Sequence, residues 1–271
     1  MHAARPTPTS TRKRKWRSIS TVVHAPVADI VEEARRLIAA ATGRGLRLRL
    51  VGGLAIRVHA HRDHPSLDRA FKDIDVVTVR KGERDVGRFL RELGYEPDSA
   101  FNTLNSGRRA LFYDVVHQRQ LDVFVGGFQM CHAIPIADRL DVDPQTVPLA
   151  ELLLTKLQIV HLNDKDLRDI VALLLDHDVA DTDDEAVNGA VVARLCSDDW
   201  GLWRTCHLTI DAVRGHLDGL GLPTGDEAVL LARLDALEAR LDSAPKTRRW
   251  RLRDRVGDRV RWYEEPEEVA H

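Results

Sequence analysis

The sequence contains few cysteines, few aromatic residues and no long apolar run. The three cysteines, Cys131, Cys196 and Cys206, are an odd number in a chain of 271 residues, which argues against a disulfide framework. No segment approaches the roughly 18 apolar residues of a membrane span, and the basic N-terminus lacks the apolar region of a signal peptide. We therefore expect a cytoplasmic chain with reduced thiols and no membrane contact.

The sequence also has little net charge, but the charge is unevenly distributed. The formal net charge is −2, and only seven of the 40 basic residues are lysine. Residues 1–28 contain six bases and no acid, residues 29–245 contain 26 bases and 36 acids, and residues 246–271 contain eight bases and six acids. The low total would by itself argue against a polyanionic partner, whereas the basic ends are candidate contacts for a nucleic acid.

Hydrophobic residues make up 44% of the chain, enough for one large domain or two small ones. Residues 1–20 combine Pro, Thr and Ser with a basic run, which is typical of a flexible arm. The patterns that follow predict the order α-β-α-β-α-β-β and then an all-helical half, with a boundary near residues 144–148. We expect a mixed α/β (α+β) domain over residues 21–147 and a helical domain over residues 148–271.

The individual elements follow from apolar spacing and from glycine stops. We expect a first helix from residue 27, with its apolar stripe at 30–41, a short helix over 54–60 and a helix over 85–93. Strands are expected at 46–51 and 74–79, with a hairpin formed by 108–116 and 121–125. The two strongest helices are predicted at 149–162 and 164–175, and two or three more between 186 and 241.

The segment Lys72-Asp-Ile-Asp-Val-Val77 carries two carboxylates two residues apart at the start of a predicted strand. Side chains at that spacing leave the same face of a strand, about 6–7 Å apart. Two such carboxylates repel each other unless a cation or water compensates them, and Mg²⁺ suits this spacing because it prefers oxygen ligands. The alternative for Asp73 and Asp75 is a strand edge with solvated acids.

Three further features favour a phosphate or metal site. Gly52 and Gly53 end one strand and open a helix, where backbone N–H groups can face a phosphate, although the same pair can be an ordinary turn. Asp122 is the only acid inside an apolar strand, so it either faces a cation or lies at the strand start and faces solvent. Lys156 lies in a helix that is apolar nearly all round, where it either reaches solvent or serves a buried anion.

Five pieces of the chain, in order, resemble the nucleotidyltransferases of the DNA polymerase beta superfamily. They are Val51-Gly-Gly-Leu-Ala-Ile-Arg57, Lys72-Asp-Ile-Asp75, Leu121-Asp-Val-Phe124, Leu153-Leu-Thr-Lys156-Leu-Gln and Lys165-Asp-Leu-Arg-Asp169. The most similar group is the AbiEii/MenT abortive-infection toxins of type IV toxin-antitoxin systems. The resemblance covers roughly residues 27–178, so the helices over 148–178 would complete the active site.

The resemblance implies a role for each matching residue. Asp73, Asp75 and Asp122 would hold two Mg²⁺ ions that bind a nucleoside triphosphate (NTP), and Asp122 would also help activate the incoming hydroxyl. Gly52, Gly53 and Arg57 would bind the triphosphate, and Lys156 would contact phosphate and the leaving pyrophosphate. Asp169 would organise the nucleotide or Lys156. Asn163 stands where the family's fourth motif usually begins with arginine.

Helical spacing leaves a second interpretation for part of that motif. The apolar stripe of its helix leaves Lys165 and Asp169 on the opposite face, so a surface ion pair worth a few tenths of a kcal/mol is the alternative. Arg57 and the pair Arg108-Arg109 could add charge for phosphates, or could be solvated like most single arginines.

The resemblance implies an RNA acceptor, with the 3′ end of tRNA as the first candidate, and a protein antitoxin as a possible partner. The basic arm and residues 246–261 would contact the RNA, with Trp16, Trp250 and Trp262 available for stacking; an amphipathic surface helix is the alternative for residues 246–261. Two other functions stay open. An acidic centre would also suit a cationic antibiotic as acceptor, and the fold could bind nucleotide or a partner without turnover.

Overall fold

The structure, a computed structural model, describes residues 25–265. The predicted basic arm over residues 1–20, with Trp16, lies outside the described residues. The fold is mixed α/β, with one five-stranded sheet, flanking helices and a helical C-terminal half. The predicted fold class is therefore confirmed.

The central sheet has the strand order β1-β2-β5-β4-β3. Its strands are β1 (Leu48–Val51), β2 (Asp73–Thr78), β3 (Glu96–Pro97), β4 (Arg109–Asp114) and β5 (Arg119–Val125). The β2–β5 pair is parallel and the other pairs are antiparallel, including the predicted hairpin of β4 and β5. Two small ribbons lie apart from this sheet: β6 (Phe128–Gln129) with β7 (Ala133–Ile134), and β8 (Asp178–Ala180) with β9 (Ala186–Asn188).

The helices of the first half flank the sheet, and those of the second half pack against one another. The first group is α1 (Ile30–Gly43), α2 (Gly52–His59), α3 (Glu83–Glu92) and the short α4 (Ser99–Leu104). The second is α5 (Leu149–Leu157), α6 (Asp164–Asp176), α7 (Gly189–Asp198), α8 (Trp200–Gly215), α9 (Thr224–Ser243) and α10 (Arg248–Asp254). No helix within residues 25–265 has both the length and the apolar character that a bilayer crossing requires.

Helix α5 ends five residues before the predicted end at residue 162 because tertiary contacts occupy its next polar groups. The Gln158 side chain accepts a hydrogen bond from the backbone N–H of His132 at 2.6 Å. The carbonyl of Ile159 accepts from the Thr209 hydroxyl at 3.2 Å instead of continuing the helix. Long-range partners therefore override an apolar pattern that continues along the sequence.

The segment around residues 144–148 is attached to the sheet. The backbone N–H of Leu50 donates to the carbonyl of Gln145, and the N–H of Val147 donates to the carbonyl of Leu50, both at 2.9 Å. A single hydrophobic cluster continues from the sheet into the helical half, from Leu37 to Leu241. This packing holds α5 and α6 against the part of the sheet that carries the candidate site.

Candidate active site

Three aspartates lie on β2 and β5, which are two neighbouring inner strands of the central sheet. In the parallel register of β2 and β5, Asp75 lies directly beside Asp122, and Asp73 lies beside Gln120. All three aspartates line one cleft, so the prediction that Asp73 and Asp75 share a face is confirmed. Asp122 is only 3% exposed, which excludes the alternative of a strand-start residue facing solvent.

The cleft has a volume of about 1150 Å³ and contains most of the predicted site residues. It brings Gly52 and Lys156 to the three aspartates, from helices α2 and α5. Three arginines contribute positive charge to the same walls: Arg80, Arg108 and Arg109. An acidic floor with basic walls can hold cations and phosphate groups side by side.

Gly52 and Gly53 form a crowded turn between β1 and α2. Gly52 has a φ of +74°, and a Cβ at this position would lie 2.6 Å from Oδ2 of Asp75. A Cβ on Gly53 would lie 1.9 Å from Nη2 of Arg69, inside van der Waals contact. Glycine is required at position 52, where the φ is positive and Asp75 lies close, whereas a side chain at position 53 would displace the guanidinium of Arg69. The helix accordingly starts two residues before the predicted residue 54.

Asp122 is held by two side chains of the sheet. Arg109 Nε donates to its Oδ1, and Gln120 Nε2 donates to its Oδ2, both at 2.7 Å. The carboxylate oxygens of the three aspartates do not all lie within 4.8 Å of one another. These two hydrogen bonds fix the orientation of the Asp122 carboxylate in the cleft.

Asp75 carries the most perturbed carboxylate of the cleft. Burial, together with repulsion from Asp122 and Asp73, raises its pKa from 3.8 to about 7, against the opposing attraction of Lys156 and Arg109. The ionised form of Asp75 is therefore disfavoured first by burial and then by the neighbouring carboxylates. Carboxylate oxygens are the ligands that Mg²⁺ prefers, and a bound divalent cation would remove this repulsion, so the residues present fit that ion.

Lys156 is held between two carboxylates of α6. Its Nζ lies 2.7 Å from Oδ1 of Asp166 and 2.9 Å from Oδ2 of Asp169. Burial disfavours the charged ammonium, but the two carboxylates outweigh it and raise the pKa of Lys156. Of the two alternatives for this lysine, the structure shows pairing with buried anions, and these anions are the carboxylates of Asp166 and Asp169.

Asp169 is buried and does not pair with Lys165. Arg69 binds it with two hydrogen bonds, from Nε to Oδ1 at 2.9 Å and from Nη2 to Oδ2 at 2.8 Å. Asp169 is 4% exposed, whereas Lys165 is exposed to solvent. The interpretation as a surface ion pair is therefore wrong: Asp169 faces the interior and contacts Lys156.

Two residues of this network were missed by the sequence analysis. Arg69 lies in a loop with no periodic pattern, so no local signal marks it. Asp166 lies inside the quoted Lys165–Asp169 motif but was not singled out; its position one turn before Asp169, on the same helix, is the signal that could have found it. Asn163, at the departure from the family pattern, caps α6 by accepting from the backbone N–H of Asp166 at 2.9 Å.

Two of the residues assigned to substrate binding lie elsewhere. Arg57 is exposed on α2, with Nη2 3.4 Å from Oδ1 of Asp63, and does not line the cleft. Trp250 is buried on α10 with its ring 5.2 Å from that of Trp203, so its prediction as a free stacking surface is wrong. The amphipathic alternative applies to this helix, because Trp250 is apolar and faces inward while its arginine neighbours face solvent. Trp262 is partly buried, and its indole N–H donates to Thr205.

Neither the comparison with models of known protein families nor the comparison with curated proteins finds a match for this chain.

Proposed function

We propose that this protein is a Mg²⁺-dependent nucleotidyltransferase that moves a nucleoside monophosphate from an NTP to an acceptor hydroxyl. The observation that carries the proposal is the side-by-side position of Asp75 and Asp122 on parallel strands, with Asp73 in the same cleft. A carboxylate with a raised pKa, here about 7 for Asp75, is typical of sites that bind a cation or exchange protons.

The surrounding residues support binding of a triphosphate. The first turn of α2 begins at Gly52 against Asp75, so backbone N–H groups without helical partners can bind phosphate oxygens. Lys156 and Arg109 supply positive charge from two sides of the cleft. Asp166 and Asp169 position Lys156, and Arg69 in turn positions Asp169.

The reaction is an in-line attack of the acceptor hydroxyl on the α-phosphate, with release of pyrophosphate. Mg²⁺ held by the three aspartates would supply stabilisation of charge on the entering and leaving oxygens. The protein's own groups contribute mainly positioning and charge neutralisation. Asp122 would be one of the residues that hold the cation, and Arg109, which donates to it, would supply positive charge beside the phosphates.

RNA is the acceptor that the surface supports best. A second hollow of about 690 Å³ adjoins the cleft, and the two share Gln129, Ala133 and Glu264. Arg249, Arg253 and Arg261 line this hollow. Four more arginines of α10 and the segment after it are exposed: Arg248, Arg251, Arg255 and Arg259. Such a surface can follow a phosphate backbone toward the cleft.

Transfer assays with α-labelled NTPs, Mg²⁺ and total RNA test the proposal. We expect label in RNA, in the tRNA fraction first, and an Asp75→Asn variant should lose roughly 100-fold or more of the rate, since even residues behind a metal ligand cost 10–100-fold. Exposed Asp68 provides the matched control, and Asp68→Asn should retain the wild-type rate.

Parallel reactions separate the other two functions. Label in an aminoglycoside, with none in RNA, would identify a small-molecule transferase. Saturable NTP binding without transfer to either acceptor would identify a binding protein. A full transfer rate in Asp75→Asn would refute the assigned site itself.

The biological setting is part of the same proposal. A toxin-like enzyme acting on tRNA would work in the cytoplasm, and the unpaired thiols of Cys131, Cys196 and Cys206 are compatible with that compartment. Growth arrest on expression, relieved by Asp73→Ala, and capture of an antitoxin protein encoded beside the gene would support it.

A further inference from the structure

A second cluster of metal-binding side chains lies at the opposite ends of two helices of the active site. Helix α2 begins at the cleft with Gly52 and ends at His59, and α6 ends at Asp176. His61, which follows α2, and His177, which follows α6, meet Glu185 from the loop between β8 and β9. Their potential ligand atoms all lie within 4.8 Å of one another, the one such group of three among residues 25–265.

The two exposed members already stand at the separation of two zinc ligands. His61 Nε2 lies 3.4 Å from Oε2 of Glu185. Ligands of a tetrahedral zinc at about 2.1 Å are separated by about 3.4 Å. Their side chains are 51% and 75% exposed, so an ion can enter from solvent.

His177, the buried member, has a ring-nitrogen contact that cannot be a hydrogen bond while its imidazole is neutral. It is 1% exposed, and its two ring nitrogens lie 3.2 Å from carbonyl oxygens, Nδ1 from that of Glu185 and Nε2 from that of His59. A neutral imidazole has one N–H and one lone pair, and a carbonyl oxygen only accepts. One nitrogen of neutral His177 therefore directs a lone pair at an acceptor inside the protein, where unsatisfied polar groups are costly.

The loop that carries His61 is fixed before any ion binds. The side chain of Asp176 is 3% exposed and accepts from the backbone N–H of His61 and from His64 Nε2, both at 3.0 Å. Its carboxylate also lies 3.4 Å from Nε of Arg62. His59 does not belong to this cluster of ligand atoms, and its Nε2 lies 2.6 Å from the Thr146 hydroxyl.

We propose that His61, His177 and Glu185 form a binding site for a divalent transition metal, with Zn²⁺ as the ion that fits best. Imidazole nitrogens favour Zn²⁺ over Mg²⁺, which separates this site from the acidic cleft. Two histidines, one carboxylate and a water complete a tetrahedral zinc shell. The ion would join the distal ends of α2 and α6 to the β8–β9 loop and so stabilise the elements that carry Gly52, Asp166 and Asp169.

Isothermal titration of the tag-free full chain with Zn²⁺, in excess Mg²⁺, tests the site. We expect one equivalent to bind with micromolar or tighter affinity and to raise the melting temperature. His61→Ala and Glu185→Gln should each weaken binding roughly 10-fold or more, since loss of a ligand costs at least as much as loss of a residue behind it. His216→Ala and Asp184→Asn, exposed residues with the matching side-chain changes, are the controls and should bind zinc like the wild type.

The other outcomes overturn the proposal. Absence of saturable binding in the micromolar range would mean that His61, His177 and Glu185 do not form a metal site. Binding that survives both ligand variants would place the ion elsewhere. Loss of the zinc signal in Asp75→Asn would assign it to the cleft. Circular dichroism on each variant checks the fold, which both ligand substitutions should leave intact because they alter exposed side chains.

Discussion

Replacement of Asp75 by asparagine should stabilise the protein in the absence of metal. The pKa of Asp75 is raised from 3.8 to about 7 in the folded protein, because burial and the neighbouring Asp122 and Asp73 disfavour its ionised form. Between these two values the folded protein keeps a proton that the unfolded chain has lost. Unfolding therefore releases a proton, and this group's contribution to stability falls as pH rises through the window from about 4 to 7.

The size of the effect follows from the two pKa values. One pKa unit corresponds to about 1.4 kcal/mol, so ionised Asp75 costs the folded protein about 4 kcal/mol at neutral pH and above. Asparagine has nearly the same shape and no charge, so the variant avoids this cost. The advantage of the variant should grow by about 3 kcal/mol between about pH 5 and pH 8, and it should vanish below about pH 4.

Urea unfolding with EDTA present, at a series of pH values, measures this difference. The matched control is Asp68→Asn, whose stability should follow the wild type at every pH because its side chain is exposed. Mg²⁺ added at about pH 8 should stabilise the wild type much more than the Asp75→Asn variant. A difference between variant and wild type that is constant over pH would refute the assignment of a buried, repelled carboxylate.

Three further substitutions test other parts of the site and its surroundings. Gly52→Ala should lower the free energy of unfolding in urea by about 2–4 kcal/mol, since it adds a steric overlap to backbone strain. The control is Gly45→Ala, where φ is similar at +71° but the surrounding space is open, and it should cost only about 1–2 kcal/mol. Lys156→Met should cost about 3 kcal/mol by the same measurement because it leaves two buried carboxylates with less compensation, and a cost near zero would contradict the network. Trp250→Ala should cost about 3–5 kcal/mol in thermal or urea unfolding. Leu252→Ala, at a residue of the same helix that is 62% exposed, should change stability by no more than about 0.5 kcal/mol. Equal costs for the two variants would contradict the inward position of the tryptophan.

Local patterns predicted the strands and the acids on them. The spacing of Asp73 and Asp75 was enough to put both side chains on one face, because the alternation of a strand depends only on neighbouring residues. The apolar surroundings of Asp122 were enough to mark it as unusual. Helix limits were less accurate where tertiary contacts act, as at Gln158, whose side chain binds the backbone of a distant loop.

The partners within the site could not be predicted, because they depend on register and on loops. The sequences of the separate strands do not determine whether Asp75 pairs with Asp122 or with a neighbouring residue of β5, because the register is set by the packing of the whole sheet. Arg69 comes from a loop without periodicity, and its distance from Asp169 along the chain leaves no local pattern. The stacking role predicted for Trp250 was wrong because the local sequence, an aromatic residue among arginines, is the same whether the ring faces a core or a ligand.

The parallel pairing of β2 and β5 has a consequence for how the protein acquires its site. β4 and β5 can associate early because a short turn joins them, whereas β2 must wait for the chain between it and β5 to fold back across the sheet. Until that closure, Asp75 and Asp122 are far apart and do not repel each other. The repulsion therefore opposes the pairing of β2 with β5, so a divalent cation present during refolding should accelerate that pairing, and a nascent chain released before β5 would lack Asp122 of the candidate site.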